Sequence, residues 1–151
     1  NKIFFFLAWP DQSCPDNCHP LIELVENVEK SRIELTHQNQ FSGPVVVHCR
    51  YKKKKGEHLI SISEAETNRV LRKVFSFPFC LPCFSAGIGR TGCYIALSNG
   101  IKQLHAERTV DIVRILCDLR RDRGGMIQTN DQYQFVYQAL SEYARTLPFS
   151  A

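Results

Sequence analysis

Cys49 closes an apolar run, Val45-Val46-Val47-His48-Cys49, and Arg90 sits inside a glycine-rich one, Ser85-Ala86-Gly87-Ile88-Gly89-Arg90-Thr91-Gly92. The first reads as a buried strand that ends on a thiol. The second reads as a loop running into a helix, where Gly87 and Gly89 let the backbone approach a bound group closely. Successive N–H groups curled at such a helix start favour an anion. The Arg90 guanidinium adds a planar clamp on two oxygens of a phosphate. A cysteine at the floor of that positive field ionises below its usual pKa and can attack phosphorus in line. Alone, Cys49 would read as an inert buried thiol. Strand, cysteine, glycine loop, arginine and helix in that order describe phosphoryl transfer to sulfur.

The two halves are separated by Arg50 to Phe84, 35 residues. Joined end to end they spell His-Cys-Ser-Ala-Gly-Ile-Gly-Arg-Thr-Gly, with five residues between cysteine and arginine. In that form the stretch resembles the phosphate-binding loop of the protein tyrosine phosphatases. Further words of that family are Trp9-Pro10-Asp11, the run Arg121-Asp122-Arg123-Gly124-Gly125-Met126-Ile127-Gln128-Thr129, and Gln132-Tyr133-Gln134-Phe135-Val136. Outside the interruption the resemblance covers Trp9 to about Leu147.

The resemblance implies a role for each matching residue. Cys49 is the nucleophile, and His48 before it helps set the thiolate's pKa. Ser85, Ala86, Gly87, Ile88 and Gly89 supply the phosphate cradle, with Arg90 as its clamp. Asp11, on a loop that closes over phosphotyrosine, is the general acid that protonates the departing tyrosine oxygen. Gln128 orients water against the phosphocysteine, and Gln132 assists it or caps the last helix. The Thr91 hydroxyl can steady the sulfur as it leaves. No metal or other cofactor is implied. Gln12 departs from the histidine usual after Trp-Pro-Asp. That variant resembles the branch acting on MAP kinases, and implies such a kinase as the phosphotyrosine-containing substrate.

The implied fold is α/β: the C-terminal part of the phosphatase fold, a twisted mixed sheet flanked by helices, with a loop insertion at 50–84. The domain is read as a partial catalytic domain over 1–147, less than half of the whole. Asn1 stands where an initiator Met would, so the start is expected to be a truncation. The alternative reading is an inactive fragment or a binding pseudo-phosphatase, because the cradle is split and core meant for the missing half would be exposed.

The interruption is expected to be translated intron or a disordered insertion. Arg50-Tyr51 can be encoded with a splice donor, AG|GTA, and Phe84-Ser85 with an acceptor, TTYAG. Ser76 to Phe84 can be written with a pyrimidine opening every codon, as a polypyrimidine tract would give. Excision in that frame leaves a serine codon and restores the loop. Cys83 is no substitute nucleophile, since six residues separate it from Arg90 and Pro82 precedes it. Lys52 to Lys55 read as a solvated charge run, and Cys80-Leu-Pro-Cys83 as half of a zinc site with no second ligand pair.

Composition fits one modest domain: 151 residues, 44% hydrophobic and 23% charged. The net charge of +4 belongs to the interruption, which holds eight Lys/Arg against three Glu, so nucleic acid is not expected as a partner. Seven cysteines, an odd number, form no secreted framework and point to a reducing, cytoplasmic setting. No signal peptide or membrane span is read, since the longest apolar run is Ile3 to Trp9.

Periodicity predicts the elements. Lys2 to Trp9 reads as a strand. A helix opens at His19-Pro20 with Leu21, Leu24, Val25 and Val28 inward and Ile33 and Leu35 extending the face. Helices follow over Thr91 to about Glu107, over 110–123 with Val113, Leu116 and Leu119 inward, and after Thr129 with Tyr133, Val136, Tyr137 and Leu140 inward.

Overall fold

The computed structural model describes residues 3–9, 13–37, 45–51, 58–64 and 88–148. In chain order the elements are β1 (Ile3–Trp9), α1 (His19–His37), β2 (Val45–Tyr51), β3 (His58–Glu64), α2 (Gly89–Glu107), α3 (Ile112–Asp122) and α4 (Asn130–Thr146).

β1 places Phe4 and Phe6 inward and Ile3 and Phe5 outward, the alternation of a half-buried strand. Phe6 pairs with Ile60 and Trp9 with His58, so β1 carries one extra residue between the two pairs. That bulge returns Trp9 to the face of Phe6, and the two rings meet edge to face at 6.5 Å.

The described sheet has the order β1-β3-β2, and both ladders are antiparallel. Two expectations change here. Residues 50–84 are not loop throughout, because 58–64 form the central strand and β2 runs on to Tyr51. The described strands are also not mixed, although β1 and β2 point the same way on either side of β3. The reason lies in the sequence of β3: Ile60 and Ile62 alternate with Ser61 and Ser63, a period-two pattern that pairs readily with a neighbouring edge.

Helix α2 is the hub, packing on α1, α3, α4 and β2. It is buried on several sides, at Cys93, Tyr94, Ala96, Leu97, Gly100, Ile101 and Leu104. In α1 the inward stripe runs Leu21, Leu24, Val25, Val28, then Ser31, and Ile33 falls off it, 51% exposed. Val113 of α3 and Tyr137 of α4 are likewise exposed, one residue out of phase with the buried Ile112 and Val136. Asp111 caps α3 by accepting from the Arg114 N–H at 2.9 Å. Glu29 ties α1 to α2 through Lys102 at 3.2 Å, an exposed pair worth at most about 1 kcal/mol.

Gly100 is where α2 and α4 touch most closely. A Cβ there would lie 2.6 Å from Cδ2 and 2.7 Å from Cδ1 of Leu140, which is 1% exposed and has nowhere to turn. Gly100→Ala gains about 1 kcal/mol of helix propensity and loses about 1–3 kcal/mol to overpacking. We expect a net fall in stability of about 1 kcal/mol, read as a lower urea midpoint. An unchanged or higher midpoint would contradict this packing.

Candidate active site

Cys49 lies on β2, 9% exposed, and Arg90 is the second residue of α2. Their charges act on each other across the interruption. Burial lowers the basicity of the half-buried Arg90 guanidinium, and the charge of the Cys49 sulfur raises it again. Thr91 follows, 4% exposed, and its hydroxyl has no hydrogen-bond partner among the described residues. A buried hydroxyl without a partner is uncommon.

Gln128 and Gln132 converge on the same helix start. A Cβ on Gly89 would lie 2.7 Å from Gln128 Oε1 and 2.9 Å from Gln132 Nε2. Gln132 is also a structural residue: its N–H donates to Thr129 Oγ1 at 3.2 Å, and its Oε1 accepts from the Gln128 N–H at 2.8 Å. Its cap and its place beside Gly89 thus coexist.

The segment before Gln128 is pressed against α2. Gly92 approaches so closely that a Cβ would lie 2.7 Å from the Ile127 nitrogen. The Ile88 carbonyl accepts from the N–H groups of both Gly92 and Ile127, at 3.2 and 3.1 Å. Ile127 itself adopts φ 58°, a left-handed conformation that is strained for a β-branched residue. Arg120 holds it there, donating from Nε to the Met126 carbonyl at 3.0 Å and from Nη2 to the Ile127 carbonyl at 2.9 Å. In the sequence Arg120 is one position of the helix predicted over 110–123. Nothing in its spacing showed that it would anchor the segment that carries Gln128.

Asp11, Ser85, Ala86 and Gly87 lie outside the described residues, as does the side chain of His48. The flanks of Asp11 are described. The Trp9 indole N–H donates to the Ser13 carbonyl at 2.8 Å, and its ring meets Phe135 of α4 edge to face at 5.3 Å. Ile88 is the N-cap of α2 and Gly89 its first residue. β2 does not stop at the thiol: Cys49 pairs with Ile60, Arg50 with Leu59 and Tyr51 with His58. Among the described residues no helix is long and apolar enough to cross a membrane.

A guanidinium at a helix N-terminus, within electrostatic reach of a thiol and with two amide side chains at the same helix start, is a grouping that can bind an oxyanion. Comparison with known proteins makes the class specific. The sequence matches the protein-tyrosine phosphatase family over residues 1–62 and 53–142. It is 39% identical to human receptor-type tyrosine-protein phosphatase R over 97% of this chain and 16% of that protein. It is 41% identical to human tyrosine-protein phosphatase non-receptor type 7, over 97% of this chain and 30% of the relative. Rat tyrosine-protein phosphatase non-receptor type 5 is 38% identical, over 97% and 29%. The chain belongs to the protein-tyrosine phosphatase family, a family of enzymes. It spans less than a third of the length of these curated relatives.

Proposed function

We infer that this chain carries the catalytic part of a domain that hydrolyses phosphotyrosine in proteins. Cys49 attacks phosphorus in line, and the tyrosine oxygen leaves with a proton from Asp11. Water placed by Gln128, with help from Gln132, then attacks the phosphocysteine and gives its proton to Asp11, releasing phosphate. Arg90 and the amides of Ser85 to Gly89 hold the phosphoryl oxygens throughout. Thr91 donates to the sulfur as it is expelled. What carries this reading is the convergence of Gln128 and Gln132 on Gly89, next to Arg90, with the Cys49 sulfur within electrostatic reach of that guanidinium although the interruption separates them in the chain.

One feature favours a second reading for the chain as it stands, an inactive fragment or pseudo-phosphatase. Cys49 and the two residues after it sit in register in the ladder with β3. In an uninterrupted loop the residues following the cysteine would curl around phosphate instead. We therefore infer poor activity for this chain and read 50–84 as translated intron. The family match breaks into two segments there, 1–62 and 53–142. Without β3, β1 and β2 would face each other pointing the same way, as in the mixed, helix-flanked sheet inferred for the parent domain. The cytoplasmic setting rests on the need for a reduced thiol, and a MAP kinase substrate on the Trp-Pro-Asp-Gln word alone.

Two measurements test these readings. Turnover of a phosphotyrosine peptide should rise about 100-fold or more when Arg50 to Phe84 are deleted, since a well-placed reacting group is worth at least that. A shortened chain that melts cooperatively and binds tungstate without turnover would leave only the binding reading. The gene should carry AGG at Arg50 and AGC or AGT at Ser85, and a CGN or TCN codon there would end the intron reading.

A further inference from the structure

Cys18, His19 and Glu142 bring a thiol, an imidazole and a carboxylate together, and none of the three has a role above. Cys18 lies just before α1, 2% exposed, with Sγ 2.9 Å from Glu142 Oε2. His19 opens α1, and its Nδ1 lies 3.4 Å from the same oxygen. The three ligand atoms all lie within 4.8 Å of one another. We propose that these three residues form a binding site for a soft divalent cation of the zinc class.

Donor set and geometry both fit. Thiolate, imidazole and carboxylate are the three ligand types zinc takes, and softer donors exclude magnesium and calcium. Tetrahedral zinc with ordinary bond lengths needs ligand atoms about 3.3–3.6 Å apart. The nitrogen–oxygen spacing of 3.4 Å already meets this, and the sulfur–oxygen spacing of 2.9 Å must open by a few tenths of an ångström. The His19 ring is 74% exposed, which leaves room for water as a fourth ligand.

The surrounding groups hold the ligands in place. The Cys18 carbonyl accepts from the N–H groups of Leu21 and Ile22, both at 3.1 Å, which fixes the thiol against the first turn of α1. Gln138 Nε2 donates to Glu142 Oε1 at 3.0 Å, turning Oε2 toward the cysteine. The Asn17 side-chain oxygen accepts from the His19 N–H at 2.9 Å and lies 3.0 Å from Nδ1. It therefore competes with the metal for that ring nitrogen, and the ring must present its Nδ1 lone pair on binding. Binding also displaces the Cys18 thiol proton to solvent, so each metal bound releases one proton.

The position suggests what the metal would do. Trp9, on one flank of the Asp11 segment, already packs on Phe135 of α4. A metal on Cys18 and Glu142 would tie the other flank to the same helix. The alternative is a plain thiol–carboxylate hydrogen bond with no affinity for metal.

Titration of the reduced chain with Co2+ and Zn2+ distinguishes the two. One equivalent of Co2+ should give a thiolate-to-cobalt charge-transfer band in the near ultraviolet, displaced by Zn2+. Cys18→Ser should abolish the band. Glu142→Gln and His19→Asn, at positions that reach solvent, should each weaken affinity tenfold or more. A Cys80→Ser/Cys83→Ser chain should keep the band. No band, a band unchanged by both Glu142→Gln and His19→Asn, or one lost with Cys80 and Cys83, would overturn the site.

Discussion

Cys49→Ser, made in the chain lacking Arg50 to Phe84, should lower turnover of a phosphotyrosine peptide by about 10^4-fold or more, the scale on which removal of a covalent nucleophile is felt. Serine keeps nearly the same shape, but its hydroxyl is a much weaker nucleophile than cysteine sulfur. The substitution leaves the positive charge of Arg90 and the cradle amides untouched. Binding of tungstate should therefore persist while turnover disappears. The comparison of kcat with a tungstate Kd is informative because a merely unfolded variant would lose both. Turnover within tenfold of the parent would mean that sulfur is not the nucleophile.

Gly92→Ala should remove about 2–4 kcal/mol of stability, the sum of overpacking and a lost buried hydrogen bond less the helix propensity gained. The added methyl would meet the Ile127 nitrogen at 2.7 Å and its Cγ1 at 3.2 Å. Backbone cannot swing aside as a side-chain end can. The Ile127 N–H is bound to the Ile88 carbonyl at 3.1 Å, and Arg120 grips the Met126 and Ile127 carbonyls. Relief requires the whole segment to move, and Gln128 with it. A displacement near 1 Å at a positioning residue is worth about 100-fold in rate, so turnover in the shortened chain should fall by that amount at temperatures where the variant remains folded. Denaturant midpoint and kcat should thus fall together. An alanine variant of parental stability would mean that the 126–128 segment does not lie against α2 as described.

The elements were largely legible, and their faces less so. The stripe through Leu21, Leu24, Val25 and Val28 was visible because helical spacing is written in neighbouring residues. Ile33, Val113 and Tyr137 were misplaced because an apolar side chain one step off a stripe looks the same in sequence, and only the partner surface decides. The strand at 58–64 was passed over because the interruption was judged by its charge and its junctions, although the Ile–Ser alternation was there to be read.

By itself the sequence determined the chemistry on offer: a cysteine after a buried strand, an arginine after a glycine loop, and the words that tie both to one family. That much is local, since each group is made by residues adjacent in the chain. Only the tertiary structure decided that the Cys49 sulfur lies within electrostatic reach of Arg90 across the interruption, that β3 takes the place between β1 and β2, that Arg120 pins a strained Ile127, and that Cys18 reaches Glu142. These depend on which distant surfaces pack together, and spacing along a chain carries no record of a contact between residues that only folding makes neighbours.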